Sequence, residues 1–259
     1  LGAGGSPGIT DVLARYAANR LDRVDQVLMR AGVKAPSGSG PTYSIRSILD
    51  EATLKPVVIE NGKAREVNPI DEETKETVEF VEPVGEMECY YSLHSEMATM
   101  PRFIGKGLGT VNYKIAFPPE TVKALQILIS LGLTESKSVT VGQTTIKPRE
   151  FLEAHLSSIP VQQTDTCALK VYVVGKRGDE TVRFTYDVLS KPSRRWGLGG
   201  VSLITGLPAS IMAQMLARGD VKAKGALPPE ACIEPAPFFA ELAKRGIMVR
   251  ETTEVARQL

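Results

Sequence analysis

The stretch CALKVYVVGKRGDETVRFTYDVL, Cys167 to Leu189, decides the fold class. Two arms that alternate apolar and polar residues flank Gly175 to Asp179, a pattern that predicts two long antiparallel strands. Upstream, GTVNYKIAF (109–117) reads as a further strand with Val111, Tyr113 and Ile115 on one face, and VDQVLMRAG (24–32) as another. LKPVVIENGKAREVNPI (54–70) holds two apolar-rich arms around Asn61-Gly62, a dipeptide suited to the positive φ of a tight hairpin turn. TVEFVEPVGEMECYYSL (77–93) continues in strand-like composition, and IMVRETT (247–253) predicts a last strand.

Helices fall between these strands. Ser44 is placed to cap IRSILDEA (45–52), after the Gly, Ser and Pro loop of 35–44. SEMATMPRFIG (95–105) predicts a short helix or turn ended by Pro101. After Pro118-Pro119 a stripe of Val122, Leu125, Leu128 and Ile129 predicts a helix that Gly132 stops. VTVGQTTI (139–146) precedes a helix in KPREFLEAHLSS (147–158), and GLPASIMAQMLARG (206–219) and EPAPFFAELAKRG (234–246) predict two more. Thr205 to Pro208 reads as a helix entry, with Thr205 as cap and Pro208 in the first turn. Strands in hairpins with helices grouped between them predict an α+β fold on one antiparallel or mixed sheet, helices on one face and the other face open to serve as an interface.

The chain opens LGAGGSPGITDVLARYAANR, and its glycines invite comparison with a dinucleotide loop. Gly2, Gly4 and Gly8 fit only a loosened spacing, Pro7 stands where a third glycine belongs, and no strand precedes them. Asp22 and Asp25 open a strand rather than close one. The plainer reading is a helix start with Ile9, Leu13, Tyr16 and Ala17 as its apolar stripe.

Composition narrows the classes. With 31 Lys and Arg against 30 Asp and Glu, the net charge of +1 advertises no polyanion, so nucleic acid is not expected as a partner. No apolar stretch in the sequence suggests a membrane span, and no signal-like segment follows Leu1, so a cytoplasmic chain that starts inside a larger gene product is expected. Cys89, Cys167 and Cys232 lie far apart without metal-ligand spacing, which predicts a reducing compartment and no metal site.

Few residues offer chemistry. His94, in CYYSLHSEMATMPRF (89–103), reads either as an acid/base group or as a hydrogen-bonded structural histidine. His155 sits within an amphipathic helix and reads as a packed or surface residue. Arg194, Arg195 and Trp196, beside the glycines of 197–200, read as an anion-binding loop or as a surface loop. The entry at Thr205 and Gly206 could equally hold an anion or be structural.

Several segments together resemble the saccharopine dehydrogenase family. GGSPGITDVLARYAANRLDRVDQV (4–27) is similar to the loop and helix by which its nucleotide domain hands over to the catalytic domain. GTVNYKIAFPPETVKALQILISLGL (109–133), VTVGQTTIKPREFLEAHL (139–156) and 202–247, with its double proline and Glu230, follow the family's later regions in order. The resemblance implies the C-terminal, glyceraldehyde-phosphate-dehydrogenase-like domain over residues 1–259, with 1–23 as hand-over loop and helix and 225–259 packing back toward it. It implies hydride transfer between NAD or NADP, held mainly by a missing N-terminal domain, and an amino-acid CH–NH bond of saccharopine or lysine type. It further implies a homodimer, and a fragment inactive alone. Pro7, Gly8, Thr205 and Gly206 would border the cofactor, His94 would move protons, and Arg102, Lys114, Arg194 and Arg195 would hold substrate. Lys114 stands in a strand where lysine-oxidising relatives commonly carry an arginine, and it cannot form the same bidentate pair. The competing readings are a non-catalytic dimerisation or scaffold protein of the same fold and a free-standing module binding small anions through 193–200.

Overall fold

The computed structural model describes residues 1–36, 40–161 and 163–257. Its elements run α1 (Ile9–Ala18), β1 (Arg23–Lys34), α2 (Ile45–Thr53), β2 (Val57–Glu60), β3 (Lys63–Glu66), β4 (Glu76–Glu79), β5 (Glu86–Tyr91), α3 (Glu96–Phe103), β6 (Thr110–Ala116) and α4 (Pro119–Ser130). They continue with β7 (Val139–Val141), β8 (Thr144–Ile146), α5 (Pro148–Ser157), β9 (Thr166–Arg177), β10 (Glu180–Ser190), α6 (Gly200–Ala217), α7 (Pro229–Cys232), α8 (Pro235–Lys244) and β11 (Met248–Ala256).

The two long arms pair as expected, Glu180 against Arg177 through Ser190 against Cys167. The turn between them is tighter than 175–179: only Gly178 and Asp179 lie outside the strands, and Gly175 pairs with Val182 inside the ladder. These strands sit in a nine-stranded sheet of order β11-β10-β9-β1-β6-β2-β3, with β5 joined to β6 and β4 to β5. β1 and β6 run parallel, Gln26 opposite Thr110, while the other pairs are antiparallel, so the sheet is mixed. At the Asn61-Gly62 turn both residues hold positive φ, 50° and 74°, as the hairpin demands.

Period-two alternation divides the sheet. Val27, Met29, Val111, Tyr113, Ile115, Val171 and Phe184 face the main core, which α1, α2, α3, α4, α6 and α8 join. The opposite face carries a smaller core under the β4–β5 hairpin, around Phe80, Val84 and Cys89. Beside it lie charged residues: Arg30 pairs with Glu76 at 2.8 Å and Lys170 with Asp187 at 2.8 Å. Helices thus cover one face and a hairpin covers part of the other.

Three local expectations are overturned. The helix read at Thr205 begins at Gly200, and Thr205 and Pro208 lie inside it. Its start is capped from outside: Asp165, 1% exposed, accepts from the Val201 amide at 2.7 Å, and Gln163 accepts from the Gly199 amide at 2.9 Å and the Ser202 hydroxyl at 2.9 Å. A cap supplied by a distant strand leaves no local sequence mark. α3 likewise runs past Pro101 to Phe103. And α6 is an uncharged 18-residue helix with a mean hydropathy of 1.4, long and apolar enough to cross a membrane by length and composition. Here it packs on β9, β10 and α8, with Leu203, Ile204, Ile211 and Met215 buried.

The cap gives a test. Asp165→Ala should lower the unfolding free energy by about 1–2 kcal/mol, with Asp165→Asn retaining part of it. Urea unfolding followed by circular dichroism measures both, and an unchanged midpoint for the alanine variant would remove the cap from the account.

Candidate functional site

The opening glycine loop folds back on itself before entering α1. The Gly4 amide donates to the Pro7 carbonyl at 2.8 Å, and the Ile9 amide to the Gly4 carbonyl at 3.0 Å. Gly8 holds φ 138°, and a Cβ there would stand 1.9 Å from the Gly4 oxygen, so no other residue fits. Its amide donates to Asp11 at 2.5 Å, the reciprocal half of a capping box. The loop lies against α6: a Cβ on Gly4 would be 3.7 Å from the Thr205 methyl. Thr205 and Gly206 are exposed there.

Ser6 joins this loop to the histidine. Its hydroxyl donates to Glu96 Oε1 at 2.6 Å and lies 3.5 Å from His94 Nδ1. His94 Nδ1 is 3.1 Å from Glu96 Oε2, and the imidazole stacks on Tyr113 with ring centroids 3.4 Å apart. Glu96 is fully buried and also accepts from Thr10 at 3.2 Å. Burial pushes its carboxyl up, but the charge and hydrogen bond of His94 and the bond from Ser6 outweigh this and hold it below the usual carboxylate range. An ionised Glu96 accepting at Nδ1 fixes the proton on that nitrogen and leaves Nε2 with its lone pair, the arrangement of a base oriented by a carboxylate. Burial in the sheet pushes the Cys89 and Cys167 thiols up to about 12, which disarms both as nucleophiles.

Beneath Glu96 lie two more buried carboxyl groups, Asp11 and Glu230. Burial, then the charges of Glu96 and Glu230, push the Asp11 carboxyl well above its ordinary range, against the pull of the Gly8 amide. Asp11 Oδ1 and both Glu230 oxygens find no donor among the described residues. A proton kept on Asp11 supplies the missing hydrogen bond between the two carboxyl groups. Arg15 ties the same region together through the carbonyls of Glu230, at 2.7 Å, and Phe103.

The residues singled out from the sequence therefore divide. His94, Pro7, Gly8, Thr205 and Gly206 gather around one loop, His94 through Ser6 and Thr205 through Gly4. Lys114 stands on the opposite face of β6 from Tyr113, donating to the Thr74 carbonyl at 2.7 Å and paired with Glu76 at 3.2 Å. Arg102 is exposed, 5.1 Å from the Phe103 ring centre. Arg195 lies over Trp196, and Arg194 lines a separate pocket with Leu207 and Arg245. His155 is a surface residue stacked on Phe151. Sequence reading missed Ser6, Asp11 and Glu96. The available signals were the acidic residue three places after Gly8 and the acidic residue two places after His94.

The shared proton predicts a pH dependence. An acid whose folded pKa is raised keeps its proton after the unfolded chain has lost it, so stability falls as pH climbs from about 4 toward the folded value. Glu96, shifted the other way, contributes stability that is fully present across that window and is lost only as pH falls below about 4. Asp11→Asn mimics the protonated acid and should melt higher than the wild type by a margin that grows from about pH 5 to pH 8. Asp11→Ala should melt lower at about pH 5, because it loses the Gly8 bond. Thermal melts across that range decide, and parallel curves for wild type and Asp11→Asn would show that no proton is held.

Comparison with known proteins gives the family and the fold. The family model for the saccharopine dehydrogenase C-terminal domain matches residues 4–247. A carboxynorspermidine synthase of Vibrio alginolyticus is 25% identical over 262 residues, covering 95% of this chain and 61% of the relative. The chain thus spans about three fifths of that enzyme's length. The apo saccharopine dehydrogenase (L-Glu forming) of Saccharomyces cerevisiae shares the fold at a TM-score of 0.69 and 18% identity, over 97% of this chain and 73% of that one. The α+β chain described here belongs to the saccharopine dehydrogenase C-terminal domain family.

Proposed function

We propose that the chain is the substrate-binding and dimerisation part of an NAD(P)-dependent oxidoreductase acting on an amino-acid CH–NH bond. The observation that carries this is the His94–Glu96 pair held against the Ser6-Pro7-Gly8 loop by Ser6. Residues 1–23 serve as the hand-over from a nucleotide-binding unit, and 225–259 pack back toward it through Glu230 and Arg15. The exposed Thr205 and Gly206, beside Pro7, leave an uncharged wall against which a flat ring can lie. The bound nicotinamide supplies the hydride acceptor or donor. His94 takes the proton from the substrate nitrogen as the C–N bond gains double-bond character, and returns it in the reverse direction. Glu96 holds the imidazole ring in place and balances its charge during that transfer.

The substrate carboxylate falls to an exposed guanidinium, Arg102 or Arg194, with Arg195 beside the latter. Lys114 is engaged with Glu76 and serves the fold. On this reading the chain without a nucleotide-binding unit is inactive. We assign it to the cytoplasm, without nucleic acid or membrane as partner. Apolar side chains on 119–161, among them Ile127 (58% exposed), Leu131 (68%) and Phe151 (59%), favour a second copy as partner.

The scaffold reading rests on the absence of a free arginine at 114, and one enzyme assay separates the two. In an enzyme that carries this chain joined to its nucleotide-binding unit, His94→Gln should lower kcat by about 10²–10⁴-fold with little change in cofactor affinity. Lys114→Met should lower the melting temperature and leave KM for the amino acid unchanged. Of Arg102→Ala and Arg194→Ala, the one that contacts the carboxylate should raise KM at least about tenfold. Turnover unaffected by His94→Gln would transfer the lead to the scaffold.

A further inference from the structure

An apolar chamber of about 390 Å³ opens at the carboxyl ends of β1 and β6, the one parallel pair among the described strands. Val33, Ile48, Ile115, Phe117, Leu128 and Leu156 give its walls, drawn from both strands and from α2, α4 and α5. A crevice at the carboxyl ends of parallel strands is a usual place for a ligand. Among the described residues its lining includes no lysine or arginine, and Glu120 is the one acidic residue there. A carboxylate placed inside would find no cation, whereas a hydrocarbon would find walls like those of a protein core.

The chamber lies beside the histidine site. Ile115, on its wall, lies two residues along β6 from Tyr113, on the same face, and Tyr113 carries the stacked His94 ring. On the α2 side, Tyr43 lines the chamber and donates its hydroxyl to Glu51 at 2.7 Å. Burial raises the Glu51 carboxyl and the nearby His94 opposes this, so Glu51 lies within the field of the same imidazole. Two neighbours on one face of β6 thus serve the two places, Ile115 the chamber wall and Tyr113 the imidazole.

We infer that this chamber receives the hydrocarbon tail of the substrate, so that the chain acts on an amino acid whose nitrogen bears a linear aliphatic substituent, not on a compound carrying carboxylates at both ends. The inference rests on His94 as the place of chemistry. It separates this chain's substrate from saccharopine itself, whose second amino-acid arm would put charge into a cavity that lacks a counter-charge.

Calorimetry on the chain with N-hexyl-, N-octyl- and N-decylglycine tests it. Affinity should rise up to about fourfold for each methylene added, until the chamber is full. Ala124→Trp, a substitution at an exposed position on the chamber lining, should abolish that rise while leaving the melting temperature within a few degrees of the wild type. Equal affinity for the three lengths, or an unchanged series in Ala124→Trp, would overturn the assignment. The n-alkanols of matching length distinguish the two levels of the argument. Length dependence with the alkanols equal to that of the alkylglycines keeps the chamber and removes the amino-acid head group proposed above. Tighter binding of the alkylglycines, lost in His94→Gln, supports both.

Discussion

Glu96 is the interaction on which the arrangement depends. A fully buried carboxylate is costly unless every lone pair is used, and here Ser6, Thr10 and His94 supply the donors. Those donors come from two places far apart in the chain: the opening loop with the first turn of α1, and the turn before α3. Satisfying one carboxylate therefore fixes the loop against the helix and the helix against the sheet.

The same economy explains why α1 is almost wholly buried while carrying Thr10 and Asp11. The helix fills the centre of the helical layer, against β9, β1, α7 and α8. Its polar first turn has no route to water, so its groups must find partners within the protein. Thr10 finds Glu96; Asp11 finds the Gly8 amide and, by keeping a proton, Glu230. Part of the cost of burying three acids together is offset by these hydrogen bonds, which also orient the imidazole. An exposed acid at the same place would orient it through water and far less strictly.

How much of this was legible follows from the range over which each signal acts. The β9–β10 hairpin, the Asn61-Gly62 turn and the Ser44 cap are local, and a few neighbouring residues specify each. The parallel pairing of β1 with β6, set by β2 to β5 and α3 inserted between them, has no local mark. Neither has the start of α6, which Asp165 caps from the residue before β9, so Thr205 reads as a cap six residues after the true one, Gly199. At the site, His94 was visible because histidines are few and titrate near neutrality. Glu96 and Glu230 looked like ordinary surface acids, since only tertiary structure shows that they are buried. The family resemblance reached Pro7, Gly8 and Thr205 through order along the chain, and the structure then gave the reason they lie together: the glycine loop packs on the middle of α6.

Lys114 joins these strands of argument. Alternation along β6 puts Tyr113 and Ile115 on the helical face and Lys114 on the other, so no change of rotamer brings its ammonium to the histidine. Its charge is used where the sheet needs it, sharing Glu76 with Arg30 under the β4–β5 hairpin. Burial lowers its affinity for a proton, and Glu76 partly restores it. The helical face of β6 thus presents rings and aliphatic carbon to the cleft: Tyr113 under the imidazole, then Ile115 and Phe117 along the chamber. The strand turns its only cation away from the helical layer and its hydrophobic residues toward it.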